Sequence, residues 1–352
     1  MTKTWMLYGA NGLTGALIAR EAARRGHACI LAGRNAGEIE TLGRALGLPT
    51  RVFPVSSEFE VRRHIAGLAA VLHCAGPFSA TSAPMLDACL AAGAHYLDIT
   101  GEMAVFERVH ARTREIAAAG ISAIPGVGFD VVGSDCLAAM LKRDLPDAVT
   151  LRLGMQWVGG RMSKGTIKSM AESVPHGGMI RRDGKLTPVP SGWKVRRIPF
   201  QRGKSFWSVS IPWGDVSTAF YSTGIPNIEF YWARSLPEIA AMRAVNPVRG
   251  LLGKPAVQSF VAAAIERVVR GPTDGERERA ESYVWGEAEN AAGKRVARRM
   301  RLPEGYTFTY LAALASLERV LAGGVTPGAL TPSMAFGADF ALTIPGVRVE
   351  EI

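Results

Sequence analysis

Short apolar runs alternate with longer segments of helical spacing through the first 130 residues. Thr4–Tyr8 is such a run, closed by Gly9. Further runs follow at Ala28–Ala32, Arg51–Val55, Ala70–His73, His95–Ile99 and Ile121–Ile124. Between them, Thr14–Arg25, Glu38–Leu46, Val61–Ile65, Pro84–Ala92 and Val105–Ala119 carry helical periodicity. Gly26 and Gly47 supply stops, and Pro84 is placed in the first turn of its helix. Continuous apolar strands separated by helices predict a parallel sheet covered on both faces, with right-handed crossovers.

The pattern changes after Asp130. Val131–Leu141 predicts a helix that joins two parts of the chain. Beyond Pro146 strands dominate, and glycine and proline thicken at Gly159-Gly160, Gly177-Gly178, Pro188-Val189-Pro190 and Pro212-Trp213-Gly214. Helical spacing returns at Pro237–Val245, Ala256–Arg270 and Tyr306–Ala322, and the alternating tail Ala335–Ile344 predicts a final strand. That is a mostly antiparallel second domain with inserted helices. At about 100–200 residues per domain, 352 residues accommodate two.

Gly9-Ala10-Asn11-Gly12-Leu13-Thr14-Gly15 lies between the first strand and the first helix. Gly9 permits a tight turn, Gly12 leaves room for a pyrophosphate, and Gly15 lets helix pack on strand. The helix N-terminus offers unpaired N–H groups to phosphate. The motif with its strand–turn–helix context predicts an α/β fold: a Rossmann-type doubly wound parallel sheet with a second mixed α/β substrate domain. The division read this way is an NADP-binding domain over 1–130 and a substrate or dimerisation domain over 131–325. The tail, 326–352, is expected to pack back on the second domain. The second strand ends in Gly33-Arg34-Asn35 rather than in a carboxylate. Arg34 can pair with a 2′-phosphate and stack on adenine, which predicts NADP(H) over NAD(H).

Three loops fall at the carboxyl ends of later strands, where open sheets bind ligands. They are Cys74-Ala75-Gly76-Pro77-Phe78, Asp98-Ile99-Thr100-Gly101-Glu102 and Pro125-Gly126-Val127-Gly128-Phe129-Asp130. Ala75, Gly76, Pro77 and Phe78 are candidates to line the cofactor, and Glu102 and Asp130 bring carboxylates toward the same edge. With Ser163-Lys164-Gly165-Thr166, Ile211-Pro212-Trp213-Gly214-Asp215, Ser222–Asn227, Tyr283–Glu287 and Gly337–Phe340, these residues resemble the saccharopine dehydrogenase-like family. Within it, the bacterial trans-acting enoyl reductases are the nearest branch. The resemblance covers most of the chain. It implies NADP(H) use, reduction of a double bond and a homodimer, but not saccharopine as substrate. The stretch after the GFD loop, Val131-Val132-Gly133-Ser134-Asp135, is less polar than in related proteins and lacks their proline.

Hydride transfer needs little acid–base machinery, because the cofactor carries the reactive atom. Enoyl reduction does need donors for an enolate-like oxygen and a proton source. Lys164, Ser163 and Thr166 are candidate donors, and Glu102 and Asp130 candidate proton relays if burial raises their pKa. Each carboxylate can equally be a helix cap. No tyrosine is followed by lysine four residues later, and no HExxH spacing or CxxC pair occurs, so no metal is expected.

The formal net charge is +10, and Leu151–Asp215 carries 12 Lys or Arg against 3 Asp or Glu. Such a field suits an anionic partner, a solvated basic surface equally well. No nucleic-acid motif accompanies it. No apolar stretch of membrane-spanning length is present. The four cysteines are dispersed, which fits a reducing cytoplasm. Six tryptophans fall after Asp130, most expected in the core and a minority along an apolar cleft. Three readings follow: a reductase of a small or carrier-bound acyl group, a reductase of an amino-acid-derived imine held by Arg152, Arg161 and Arg196, and a non-catalytic NADP(H) sensor or lipid-associated module.

Overall fold

The structure, a computed structural model, describes residues 3–56 and 58–352. The chain divides into two compact units, 1–132 with 306–340, and 133–305 with 341–352.

In the first unit the elements run β1 (Trp5–Tyr8), α1 (Leu13–Arg24), β2 (Cys29–Gly33), α2 (Ala36–Leu46), β3 (Thr50–Val52), α3 (Glu58–Ile65), β4 (Ala70–His73), α4 (Phe78–Ala92), β5 (His95–Asp98), α5 (Met103–Ala111), α6 (Thr113–Ala118) and β6 (Ser122–Ile124). The second unit opens with α7 (Val132–Asp144), β7 (Ala148–Val158) and α8 (Lys164–Ser173). It continues through β8 (Gly178–Arg182), β9 (Lys185–Val189), β10 (Val195–Gln201), β11 (Lys204–Ser210), α9 (Asp215–Thr223) and β12 (Asn227–Ala233). Next come α10 (Leu236–Ala244), α11 (Arg249–Leu252), α12 (Pro255–Val268), α13 (Asp274–Arg279), β13 (Glu281–Asn290) and β14 (Arg295–Pro303). The chain then returns to the first unit with α14 (Gly305–Ala322), β15 (Gly328–Ala329) and α15 (Pro332–Phe336), and ends with β16 (Arg348–Glu351) in the second.

The first sheet has the order β15-β6-β5-β4-β1-β2-β3, and every pairing is parallel. The strand order reverses between β1 and β4, the position at which doubly wound sheets open a ligand crevice. All four residues of β1 are buried because the sheet is covered on both faces. Met6 and Tyr8 face a core shared with Val61, Met85, Val105 and Ile116 of α3 to α6. Trp5 and Leu7 face the other core, with Ile18 of α1, Ile39 of α2, and Leu314 and Leu317 of α14.

That second core corrects the division read from the sequence. The helix over 306–322 belongs with the first unit, because its apolar face completes the α1–α2 side of the parallel sheet. The tail divides as well. Residues 328–329 extend the parallel sheet, while 348–351 pair with β14. The predicted strand Ala335–Ile344 is instead the end of α15 followed by a 3-10 turn at Phe340–Thr343. Phe336 and Phe340 meet with ring centroids 4.6 Å apart, so their four-residue spacing serves a turn rather than a strand face. Helix α4 begins at Phe78, which places Pro84 inside it and not in its first turn. The helix predicted over Val105–Ala119 is broken at Arg112 into α5 and α6.

The second sheet has the order β10-β11-β12-β7-β13-β14-β16, with β8 and β9 attached through β12. Only β7 and β12 pair in parallel among these strands. Helix α7 packs closely on one face. A Cβ at Gly286 would lie 2.6 Å from Leu141 Cδ1, so β13 needs glycine there for the helix to approach. The other face carries a small core of Ile198, Phe200, Tyr231 and Trp285.

Candidate active site

The glycine loop has the shape its sequence predicts, but its three glycines are required for different reasons. Gly9 has φ +84°, and a Cβ there would stand 2.8 Å from the backbone N of Ala75. The glycine therefore admits the Cys74–Phe78 loop beside it. A Cβ at Gly15 would lie 2.2 Å from Gly9 O, so only glycine lets α1 pack on the turn. Gly12 is unlike both. Its φ of −70° suits any residue, and its Cβ would meet only Gly9 O, at an ordinary 3.5 Å. No neighbour among the described residues demands glycine at that point, and the start of α1 fits a pyrophosphate. Gly12 caps the helix without a side chain, and no acidic residue stands in the first turn formed by Leu13 and Thr14. Ala10 is buried under the turn, its N–H bonded to Ala32 O at 3.2 Å.

At the end of β2, Gly33 admits Ile39 and Asn11, whose atoms would lie 2.9 and 3.0 Å from a Cβ. Arg34 is exposed next to it. Asn35, predicted to bind cofactor, caps α2 by accepting from the N–H of Glu38 at 3.4 Å. Asn11 Nδ2 donates to Glu38 Oε2 at 2.6 Å and ties the glycine loop to α2. Tyr8 donates its hydroxyl to Phe53 O at 2.9 Å, and burial pushes its pKa up to about 12 against the opposing pull of Arg34.

The fold brings the three later loops together. In the first, Thr81 Oγ1 donates to Ala75 O at 2.7 Å and lies 2.9 Å from His73 Nε2. Burial pushes His73 down to about 3, so the ring is neutral, as a core histidine should be. Gly76–Pro77 is a cis peptide, and Pro77 opens α4 without a capping side chain. Glu102 provides the cap from the next loop, accepting from Phe78 N at 2.9 Å and Ser79 N at 2.7 Å. Of its two readings, the capping one describes what both carboxylate oxygens do.

Asp98, the last residue of β5, holds the second and third loops. Its Oδ1 accepts from Thr100 N at 3.0 Å and Gly126 N at 2.9 Å, and its Oδ2 from the Tyr96 hydroxyl at 2.6 Å. Burial raises its pKa to about 6, while the three donors oppose the rise. Sequence reasoning did not single it out. The available signal was a carboxylate terminating a strand directly after Tyr96 and Leu97. Asp130 is half-buried against Gly101, where a Cβ would lie 2.6 Å from its Oδ2. Phe129 N donates to Thr309 Oγ1 of α14 at 3.0 Å, so α14 also supports this loop.

Comparison with known proteins agrees with this geometry. Residues 5–124 match the saccharopine dehydrogenase NADP binding domain. That match takes in most of the first unit's parallel sheet and about a third of the chain. A trans-acting enoyl reductase of Mycobacterium leprae is 28% identical over 187 residues, covering 48% of this chain and 44% of the relative. The saccharopine dehydrogenase-like oxidoreductase of Mus musculus is 27% identical over 237 residues, covering 59% of this chain and 55% of the relative. The chain thus spans about half the length of the curated relatives it matches. Yeast saccharopine dehydrogenase (L-Glu forming) superposes with a TM-score of 0.69 at 12% identity, over 99% of this chain and 100% of that one. That likeness shows the fold.

NADP is the cofactor of the matched domain, and Gly9–Gly15, Arg34 and Ala75–Phe78 all lie inside it. Lys164 lies outside it, in the second unit. It opens α8 behind the capping residue Ser163, and its Nζ pairs with Glu266 at 2.9 Å, as does that of Lys168. Arg152 pairs with Glu287 and Glu289 at 3.0 and 2.7 Å, Arg161 with Glu276 at 3.2 Å, and Arg196 with Glu287 at 3.4 Å. Lys194 pairs with Glu229. Much of the basic excess at 151–215 is therefore matched by carboxylates from 229–289, which a count over one window cannot register. A cleft of about 480 Å³ opens between α8 and α12, over Ala171, Pro175, Val261 and Ile265. Lys168, but not Lys164, is in its wall. No helix among the described residues is long and apolar enough to cross a membrane, and none of their His, Cys, Asp and Glu side chains group as a metal site.

Proposed function

We propose that the chain is an NADPH-dependent oxidoreductase that reduces a carbon–carbon double bond conjugated to the carbonyl of an acyl substrate. The observation that carries the redox reading is the bare N-terminus of α1 at Gly12, with Arg34 beside it at the end of β2. Bound NADPH supplies the hydride. The chain's part is to hold the cofactor on Gly9–Gly15, select its 2′-phosphate with Arg34 and shape the reactive edge with Ala75–Phe78. A proton must also reach the α-carbon, and Asp130, packed on Gly101, is the proposed relay. Glu102 is set aside for that role because both its oxygens hold α4.

An acyl substrate is favoured over a dicarboxylate imine by the state of the arginines. Arg152, Arg161 and Arg196 each already pair with a glutamate, so a second carboxylate would have to displace an internal partner. The enoyl reductase relatives point the same way. We place the acting form in the cytoplasm as a homodimer, on free or carrier-bound acyl groups.

The test is NADPH consumption with enoyl thioesters, free and carrier-bound, beside mixtures of 2-oxo acids and amino acids that form imines. Turnover on the thioesters is expected. Turnover on the imines alone overturns the acyl reading, and background rates on both overturn the reductase reading.

A further inference from the structure

Helix α12 of the second unit is out of keeping with its exposure. Nine of its 14 residues are Ala, Val, Ile or Phe, a composition that goes with burial on most sides, yet only Ile265 is buried. Its inner side is fixed by Gln258, whose Nε2 donates to Leu252 O at 2.7 Å and to Ala171 O at 3.5 Å. Ile265, seven residues on, falls on that same side. Ala256 and Phe260 fall on the opposite side. Val257, Phe260, Ala264 and Val268 recur at i, i+3, i+7 and i+11 and make a second apolar stripe. Phe260 and Val268 are 74% and 78% exposed, the highest values among the large apolar side chains described. Leu251 of α11 and Val248 just before it are exposed as well.

Charge accompanies the stripe. From Arg249 to Arg270 the chain carries four basic residues, Arg249, Lys254, Arg267 and Arg270, against one acid, Glu266. Lys164 and Lys168 of α8 already hold the two oxygens of that glutamate. Lys254 stands at the N-cap of α12, Arg267 in its last turn and Arg270 just beyond it. All three are exposed, and none has an acidic partner among the described residues. The stripe therefore ends in uncompensated cations on both sides, and what covers it must bring apolar surface and negative charge together. A second copy does not. A two-fold contact presents one patch to itself, so the cations of both copies would be gathered in one interface.

We propose that α11 and α12 form a docking surface for an anionic lipid bilayer, with Phe260 and Val268 entering the boundary between headgroups and acyl chains and Lys254, Arg267 and Arg270 meeting lipid phosphates. Long basic side chains suit that place, since their stems lie along apolar surface while their charges stay in water. At 14 residues α12 is about 21 Å long, too short to cross the hydrocarbon layer but able to lie in its interface. The proposal is independent of the redox reading, which rests on the first unit.

The test is co-sedimentation of the full chain with vesicles of phosphatidylcholine alone and of phosphatidylcholine mixed with phosphatidylglycerol. Binding to the mixed vesicles that weakens with added salt is expected, with little binding to phosphatidylcholine alone. Phe260→Ser should weaken binding about tenfold, and Phe260→Trp should retain it. Lys254→Gln, Arg267→Gln and Arg270→Gln should each weaken it about fivefold. Two controls separate this face from the general attraction of a chain with net charge +10. Phe59→Ser removes a ring exposed to the same degree elsewhere, and Arg202→Gln with Lys204→Gln removes exposed cations at the turn between β10 and β11. Both should leave binding unchanged. Absence of vesicle binding, or equal losses in the controls and in the α12 variants, overturns the proposal. So does a dimer in sedimentation velocity that Phe260→Ser dissociates, because a second copy then covers the face. NADPH affinity, measured on the same samples, should be the same in every variant.

Discussion

The hydroxyl of Tyr96 donates to Oδ2 of Asp98 at 2.6 Å, two residues along the same strand and wholly buried. Two backbone N–H groups complete the shell of this carboxylate and tie two loops of the candidate site to β5. Burial nevertheless dominates, and raises Asp98 to about 6. The sign follows. Protonated Asp98 is favoured in the folded state, so its contribution to stability is complete below about pH 4, declines as pH rises, and is flat above about pH 6. A shift of this size corresponds to about 3 kcal/mol. Asp98→Asn keeps an acceptor for Thr100 and Gly126 but does not ionise. Denaturant unfolding between pH 4 and 7 should therefore show a loss of stability in the native chain that is smaller in the variant. Parallel curves would show that Asp98 does not titrate in this range.

Gly12 and Gly15 should separate binding from folding. Gly15→Ala puts a methyl 2.2 Å from Gly9 O, and nothing flexible can yield there, so unfolding should occur at clearly lower denaturant. Gly12→Ala meets no such obstacle and should leave stability within about 1 kcal/mol. It should, however, weaken NADPH on the order of tenfold by blocking close approach of the pyrophosphate. Equal effects of the two substitutions on binding and stability would remove the distinction.

Glu102→Ala should behave as the loss of a charged cap. Two N–H groups of α4 lose their acceptor, at a cost of about 1–2 kcal/mol, and Glu102→Gln should lose less. Turnover at saturating NADPH should fall only a few-fold in Glu102→Gln. A fall of several orders of magnitude at unchanged stability would return Glu102 to the chemistry.

The parallel sheet was legible because β1, β2 and β4 are short, mostly apolar runs, each wholly buried, and β5 adds Tyr96 and Leu97 before its carboxylate. The glycine loop was legible for the same local reason. What could not be read was destination. Helix α14 shows an apolar face in its sequence, but nothing local says that Leu314 and Leu317 complete the core over β1. Glu102 reads as a carboxylate after a strand, yet the helix it caps begins 24 residues earlier, at Phe78. Lys164 reads as a free cation because its partner Glu266 comes 102 residues later. Of the six tryptophans after Asp130, Trp232 and Trp285 are core, while Trp193 and Trp207 are exposed and Trp157 and Trp213 half-buried. Composition alone does not sort them.

Lys164→Ala tests whether the ion pair to Glu266 is all that this lysine does. Both side chains are substantially exposed, at 43% and 51%, and Lys168 holds the other oxygen of the same glutamate. Stability should change by less than about 0.5 kcal/mol. Turnover should remain within about twofold of the native chain, because the Nζ is already engaged by Glu266. A large loss of kcat with unchanged KM would assign Lys164 a role in the transition state.

Arg34 is the residue proposed to select the cofactor. It is exposed at the end of β2, where a 2′-phosphate would be read, and Asn35 beside it is occupied in capping α2. Charge-assisted bonds from a guanidinium to phosphate are strong and bidentate, so Arg34→Ala should weaken NADPH on the order of 100-fold and NADH little. Arg34→Asp should go further, since its carboxylate repels the 2′-phosphate and can accept from a ribose hydroxyl. Titration of both cofactors against the native chain and the two variants measures the preference directly. Glu38 sharpens the experiment, because it stands in the first turn of α2 bonded to Asn11. In Arg34→Ala that carboxylate remains near the glycine loop without its neighbouring cation, which should push the balance toward NADH. If Arg34→Asp still binds NADPH more tightly than NADH, the 2′-phosphate is read elsewhere.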